Sequence, residues 1–283
     1  MRLDGTVALV TGGGSGIGRA IAIEAAQRGM QLALVGRGVD ALQRTSEMLG
    51  SAKCVVLPTD ITVRAERERL VRDIAERFGR VGLLVNNAGL VCVGEFEHAD
   101  EADVERMVST NLTAPMLLTR SMLALLRNAP QACVLNIGSM FGDIAFPYFA
   151  SYSATKFALR GFSDALRREW AAEKINVTYA APRATRTPAV HGFEYLVAPM
   201  KMKLDTPTQV ACSVLDAVQR DTRSVYPRGA ERLFVLVQRI AARLIDSNLQ
   251  NLSAAPEVRQ AVIANRRSGL LAQASCDPLD AVD

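Results

Sequence analysis

Six short, continuous apolar runs recur along the first two thirds of the chain: TVALVT at 6–11, QLALVG at 31–36, KCVVLP at 53–58, VGLLVNN at 81–87, ACVLNIGS at 132–139 and INVTYAAP at 175–182. A strand with one wet face alternates apolar and polar residues, so an unbroken apolar run marks a strand covered on both faces. Helices are expected between them at 16–29, 39–49, 62–78, 101–127 and 151–173. Strand and helix alternating in this way give an α/β fold, a doubly wound parallel sheet with helices on both sides. A last short strand, SVYP at 224–227, closes the unit, so residues 1–228 are expected to form one domain and 229–283 a C-terminal helical extension.

Composition excludes several partners. The 33 basic and 29 acidic side chains leave a net charge of +4, and the basic ones are spread without a long run, which gives no nucleic-acid footprint. Cys54, Cys92, Cys133, Cys212 and Cys276 are far apart and mostly sit in apolar segments. They are expected to be reduced thiols, forming neither a disulfide nor a metal site. His98 and His191 are the only histidines, and no metal-ligand spacing is expected around either. No leader pattern opens the chain and no run approaches the ~20 apolar residues of a membrane span, so a cytoplasmic location is expected.

Directly after the first run, TGGGSGIG at 11–18 leads into a helix. Gly12, Gly16 and Gly18 allow a tight turn, close backbone approach to a pyrophosphate and close packing of the helix, whose positive end faces the anion; Gly14, Ser15 and Ile17 complete the loop. Strand before and helix after point to a dinucleotide. An NAD site carries an acidic residue at the end of the second strand, for the adenosine ribose hydroxyls. Gly36 stands there instead, followed by Arg37, which can pair with a 2′-phosphate, so NADP(H) is the expected cofactor. Asp60, followed by Ile61 in PTDIT, either accepts a bond from the adenine amino group or caps the turn after it.

The stretch SYSATK at 151–156 sets Tyr152 and Lys156 four residues apart. On a helix both lie on one face, with Cβ atoms about 5–6 Å apart. An ammonium that close favours the phenolate, lowering the tyrosine pKa toward neutrality so that it can exchange a proton. A half-buried tyrosine beside a snorkelling lysine is the other reading of the same spacing.

Taken in order, these motifs resemble the short-chain dehydrogenase/reductase family over roughly residues 4–227. TGGGSGIG is similar to its TGxxxGxG loop, NNAG at 86–89 to its strand-four motif, and Ser139 with Tyr152-x-x-x-Lys156, thirteen residues on, to its active site. The resemblance implies a Rossmann-type dinucleotide-binding and catalytic domain and an NADP(H)-dependent carbonyl reductase. It makes Tyr152 the general acid that protonates the carbonyl oxygen. Lys156 lowers the Tyr152 pKa and binds the nicotinamide ribose, Ser139 hydrogen-bonds the substrate oxygen, and Asn111 holds a water in a relay to Lys156. Asn87, Ala88, Gly89, Pro182 and Thr187 are the remaining implied cofactor contacts, Thr187 at the carboxamide. A homodimer or homotetramer built on the helices at 101–127 and 151–173 is implied as well. Oxidation with NAD and a non-catalytic redox sensor are the alternatives; the intact Ser-Tyr-Lys set argues against a sensor. One departure is Arg183, where the family has a glycine. It either clashes with a left-handed backbone or brings positive charge beside the cofactor or an anionic substrate.

From 183 to 207 the strand and helix pattern dissolves, and a substrate lid is expected at about 185–205. Phe141, Phe146, Tyr148, Phe149, Phe193, Tyr195 and Met200 are expected to line an apolar pocket for a mainly hydrophobic substrate, such as an acyl chain or a steroid-like or aromatic ketone. In ERLFVLVQRIAARLI at 231–245, positions 233, 236, 237, 240 and 244 form one helical stripe, with three arginines largely away from it. It is expected to pack on the chain's own lid or a partner subunit in preference to a membrane. PEVRQAVIANRRSG at 256–269 is expected to form a second helix, over the first or over the substrate mouth.

Overall fold

A seven-stranded parallel sheet forms the centre of the computed structural model, which describes residues 1–267. The strands are β1 (Val7–Thr11), β2 (Gln31–Gly36), β3 (Cys54–Pro58), β4 (Leu83–Asn86), β5 (Ala132–Ile137), β6 (Ile175–Ala180) and β7 (Ser224–Val225), in the order β3-β2-β1-β4-β5-β6-β7. Each expected run is a strand, trimmed by a residue or two where its backbone leaves the ladder. The helices are α1 (Gly16–Gln27), α2 (Val39–Glu47), α3 (Arg64–Phe78), α4 (Glu101–Val108), α5 (Ala114–Arg127), α6 (Ala150–Glu169), α7 (Glu194–Val197), α8 (Pro207–Gln219), α9 (Glu231–Ile240), α10 (Ala242–Ala254) and α11 (Pro256–Arg267).

Because successive strand residues point to opposite faces, the sheet carries two cores. On one face Ala8, Val10, Leu32 and Leu34 pack against Ile21 and Ala25 of α1 and Val214 and Leu215 of α8. On the other Leu9, Ala33 and Val134 meet Leu70 and Ile74 of α3 and Leu118 and Met122 of α5. Each fully buried Leu or Ile is worth about 1.5–3 kcal/mol. Strand order reverses between β1 and β4, and the carboxyl ends there open a crevice of the kind that takes ligands.

Three departures from the sequence reading bear on function. The helix expected at 101–127 is interrupted by a π turn at Ser109–Thr113. Pro115 has no N–H to return to the carbonyl four residues back, so the ladder widens ahead of it. The helix expected over 231–245 breaks at Ala241 (φ −141°, ψ 57°), and α10 runs on to Ala254. The expected reduced state of all cysteines is also corrected. Cys54, Cys133 and Cys212 are free, whereas Cys92 is disulfide-bonded.

The stretch expected to form the lid holds a short 3₁₀ segment, Pro188–Phe193, running into α7. Its base is closed by a bridge between Thr185 and Asp205, in which the Asp205 N–H donates to Ala184 O at 2.9 Å and the Arg186 N–H to Asp205 O at 2.9 Å. A capping box between Thr206 and Gln209 then starts α8. Among the described residues no helix is long and apolar enough to cross a membrane.

Candidate active site

The carboxyl ends of β1, β4 and β5, the lid and the start of the C-terminal helices enclose one cavity of about 960 Å³. Gly12, Ser15, Gly16, Ile17, Arg37, Asp60, Ile61, Asn87, Ala88, Gly89, Ser139, Tyr152, Lys156, Pro182 and Thr187 all line it. Gly14 and Gly18 stand behind the loop instead. A Cβ on Gly14 would press on Ala41 of α2, and one on Gly18 would lie 2.1 Å from the Gly12 carbonyl oxygen. Gly12 itself has φ +65°, and a Cβ there would meet Asn87 Nδ2 at 2.8 Å. No side chain fits at either position.

These residues suit a dinucleotide. Ser15, the N-cap of α1, makes no side-chain capping bond, and no acidic side chain occupies the first turn, so first-turn N–H groups can turn to a phosphate. Thr11, which the sequence reading passed over, stitches the two strand ends together. Its hydroxyl donates to Val85 O at 3.0 Å and accepts from the N–H groups of Asn87 and Ala88 at 2.9 and 3.1 Å. Asn87 Nδ2 returns a bond to Thr11 O at 2.9 Å. Asp60 Oδ1 accepts from the N–H and hydroxyl of Thr62 at 2.8 and 2.6 Å, the turn-capping geometry.

Tyr152 and Lys156 stand one turn apart on α6, with the Lys156 ammonium 5.5 Å from the centre of the Tyr152 ring. Lys156 is buried and donates to Ile137 O at 3.0 Å. Burial pushes its ammonium down to about 8. Burial likewise pushes the half-buried Tyr152 phenol up to about 12, against a downward pull by hydrogen bonding from Ser139. The lowering expected from the lysine does not enter this balance, and burial keeps the phenol protonated at neutral pH.

Asn111 lies in the π turn, buried behind the cavity. Its Oδ1 accepts from Leu90 N at 2.7 Å, while Nδ2 donates to Leu90 O at 2.8 Å and to Thr155 Oγ1 at 3.2 Å. A Cβ on Gly89 would meet Asn111 Oδ1 at 3.2 Å and Lys156 Nζ at 3.6 Å, so that glycine keeps the two amenable to one small bridging molecule. Ser139 is held by a residue that was not foreseen. Buried Tyr179 of β6 donates from its hydroxyl to Ser139 O at 3.2 Å and accepts from Ser139 N at 3.4 Å. A tyrosine inside a buried strand needs a hydroxyl partner, which was the one available signal.

Arg183 lines the cavity but does not clash with a left-handed backbone. It is not among the residues with positive φ, and its guanidinium turns to Asp205 at 3.0 Å, to Glu231 and to the Arg228 carbonyl at 2.9 Å. It latches the base of the lid to α9. Removing it leaves two largely buried carboxylates without their cation, so Arg183→Ala should lower stability by about 1–3 kcal/mol in a urea titration; an unchanged midpoint would show the latch to be idle.

Phe141, Phe146, Phe149, Phe193 and Met200 line the cavity as expected, whereas Tyr148 and Tyr195 do not. Tyr148 turns its hydroxyl away to Ser253 O at 3.2 Å, because the lid and α11 close over it. Outside the cavity, His98 gathers with Glu95 and Glu97, a carboxylate neighbourhood the spacing argument had discounted. Glu97 and His98 are exposed, with His98 Nε2 3.8 Å from a Glu95 carboxylate oxygen and 3.7 Å from one of Glu97.

Comparison with known proteins agrees with this geometry. A family model described as short chain dehydrogenase matches residues 6–194. The 3-ketodihydrosphingosine reductase of Bos taurus is 32% identical over 241 residues, 79% of this chain and 72% of that protein. The putative oxidoreductase SadH of Mycobacterium tuberculosis is 30% identical over 268 residues, 89% of this chain and 95% of that protein. A short-chain dehydrogenase structure from Streptomyces avermitilis has a TM-score of 0.75 at 28% identity, covering 88% of this chain and 98% of that one. One from Burkholderia phymatum in complex with NAD has a TM-score of 0.79 at 24% identity, covering 86% and 96%, a likeness of fold. The family match runs from the glycine loop through the Tyr152 helix and into the lid, and the chain belongs to the short chain dehydrogenase family of oxidoreductases.

Proposed function

We propose that the protein is an NADPH-dependent reductase of a ketone carried on a hydrophobic, acyl-type molecule. The observation that carries this reading is one cavity with the Ser139, Tyr152 and Lys156 side chains beside the glycine loop and an aromatic wall of Phe141, Phe146, Phe149 and Phe193 under the lid. Relatives named as 3-ketodihydrosphingosine reductases support a keto group on a lipid-like chain. NADPH, when bound, supplies the hydride. Arg37 would pair with its 2′-phosphate and the start of α1 with its pyrophosphate.

In this mechanism the Ser139 hydroxyl, steadied by Tyr179, orients the carbonyl oxygen and stabilises the charge that develops on it. Tyr152 gives that oxygen its proton, which suits a phenol held protonated near neutrality. Lys156 would hold the ribose hydroxyls and return the proton to Tyr152, with Asn111 positioning the relay behind it. A panel of ketones with NADPH, read by loss of NADPH absorbance, tests the reading; no turnover of any hydrophobic ketone would end it. The Lys156 ammonium near 8 sets the pH dependence. It is charged below that value and neutral above it, so kcat/KM for reduction should fall as pH rises through about 8. A profile flat from pH 6 to pH 10, roughly two units to either side, would remove the charged lysine from the mechanism.

A cytosolic homodimer or homotetramer belongs to the same proposal. Val108, Met116 and Phe157, exposed on and beside the helices expected to meet a second subunit, support it.

A further inference from the structure

Helix α9 turns its apolar side to water. Its inner side buries Val235, and Glu231 on that side pairs with Arg183. On the opposite side Leu233, Leu236 and Ile240 are 59%, 51% and 77% exposed, and Leu244 of α10, at 61%, continues the row. Phe234, at the edge facing the cavity, is 51% exposed. A helix of a globular domain does the reverse. The stripe, expected to pack on the chain's own lid or on a partner subunit, is not covered by the lid among the described residues, which corrects the first of those two expectations. The lid is occupied instead by α11, whose Val258 and Val262 are buried against Leu196 and Met200.

The border of the patch identifies what covers it. Arg228, Arg232 and Arg243 are exposed along the same stretch, against one exposed acidic residue, Asp246, while Arg239 reaches back to buried Asp143 at 3.8 Å. A two-fold contact between copies sets the same patch against itself, which brings one arginine border close to the other. An anionic lipid surface accommodates both features: leucine and isoleucine enter the acyl boundary while guanidinium groups stay among the phosphates. The patch also continues into the site, since Phe234, Ile245 and Leu249 line the same cavity as Tyr152.

We propose that α9 and the start of α10 form a docking surface for an anionic lipid bilayer, through which a lipid-like ketone reaches the cavity. The passage of substrate rests on the reductase reading above; the docking does not.

The test is flotation of the full chain, without cofactor or substrate, on phosphatidylcholine vesicles with and without phosphatidylserine. The protein should float with the phosphatidylserine vesicles and less so at high salt. Leu236→Asp combined with Ile240→Asp should lower the bound fraction by about tenfold or more, and Arg232→Gln with Arg243→Gln by roughly tenfold. Neither Leu236 nor Ile240 lines the cavity, so the first pair should keep the melting temperature and the reduction of a short, water-soluble ketone. Absence of flotation would overturn the proposal, as would flotation that the Asp pair leaves unchanged. An oligomer that the Asp pair dissociates, in a protein that does not float, would overturn it in favour of a second copy. Flotation in a protein that reduces no ketone would uphold the docking surface and remove the reductase reading.

Discussion

Tyr152→Phe should cost ketone reduction roughly 10²- to 10⁴-fold in kcat/KM while leaving NADPH binding and the melting temperature in place. The substitution removes one hydroxyl and keeps the ring, which packs edge-on against Phe141 at 6.2 Å between centroids. What disappears is the phenol that lines the cavity with Ser139 and stands one helical turn from Lys156. A carbonyl that accepts hydride becomes an alkoxide, and without a donor in place it must wait for water to protonate it. The high pKa of Tyr152, about 12, is no obstacle in this direction, because a donor has to be protonated before it acts and the alkoxide is more basic still. A loss under about tenfold would sink the assignment of Tyr152 as the acid. Loss of NADPH binding together with activity would instead give it a structural role.

Gly36→Asp should reverse the choice of cofactor, lowering kcat/KM with NADPH by roughly 10- to 100-fold and raising it with NADH. The position tolerates the change sterically. A Cβ on Gly36 would touch only the Leu42 side chain, at 3.5 Å or more, and Gly36 does not occupy the left-handed region. The effect is therefore electrostatic. A carboxylate at the end of β2 can accept bonds from both ribose hydroxyls, and it repels a 2′-phosphate that Arg37 would otherwise hold. Steady-state kinetics with both cofactors decide it. Equal use of NADH and NADPH by the unmodified protein would remove the argument for Arg37.

Much of the molecule was legible in one dimension because local physics writes it there. Continuous apolar runs such as QLALVG declare strands buried on both faces, and β2 occupies Gln31–Gly36, as that run marks out. Gly12 and Gly18 announce a loop that leaves no room for a Cβ. The spacing of Tyr152 and Lys156 is a helical fact, so their shared face needed no tertiary information.

What the chain could not declare depends on partners distant in sequence. Tyr179 supports Ser139 only because β6 lies beside β5, a pairing across forty residues. Arg183 is a latch because Asp205 and Glu231 fold back to it, and no local rule distinguishes that from a charge aimed at a cofactor. The pKa of Tyr152 follows the same logic. Four-residue spacing brings the lysine near, but the enclosure that raises the phenol is made by packing from the rest of the fold. Helix α9 is the clearest case. Its sequence specifies an apolar stripe and an arginine border, and periodicity is indifferent to which side faces the protein. The ion pair of Glu231 with Arg183 and the burial of Val235 turn the polar edge inward, so the tertiary structure alone decides that the stripe faces outward.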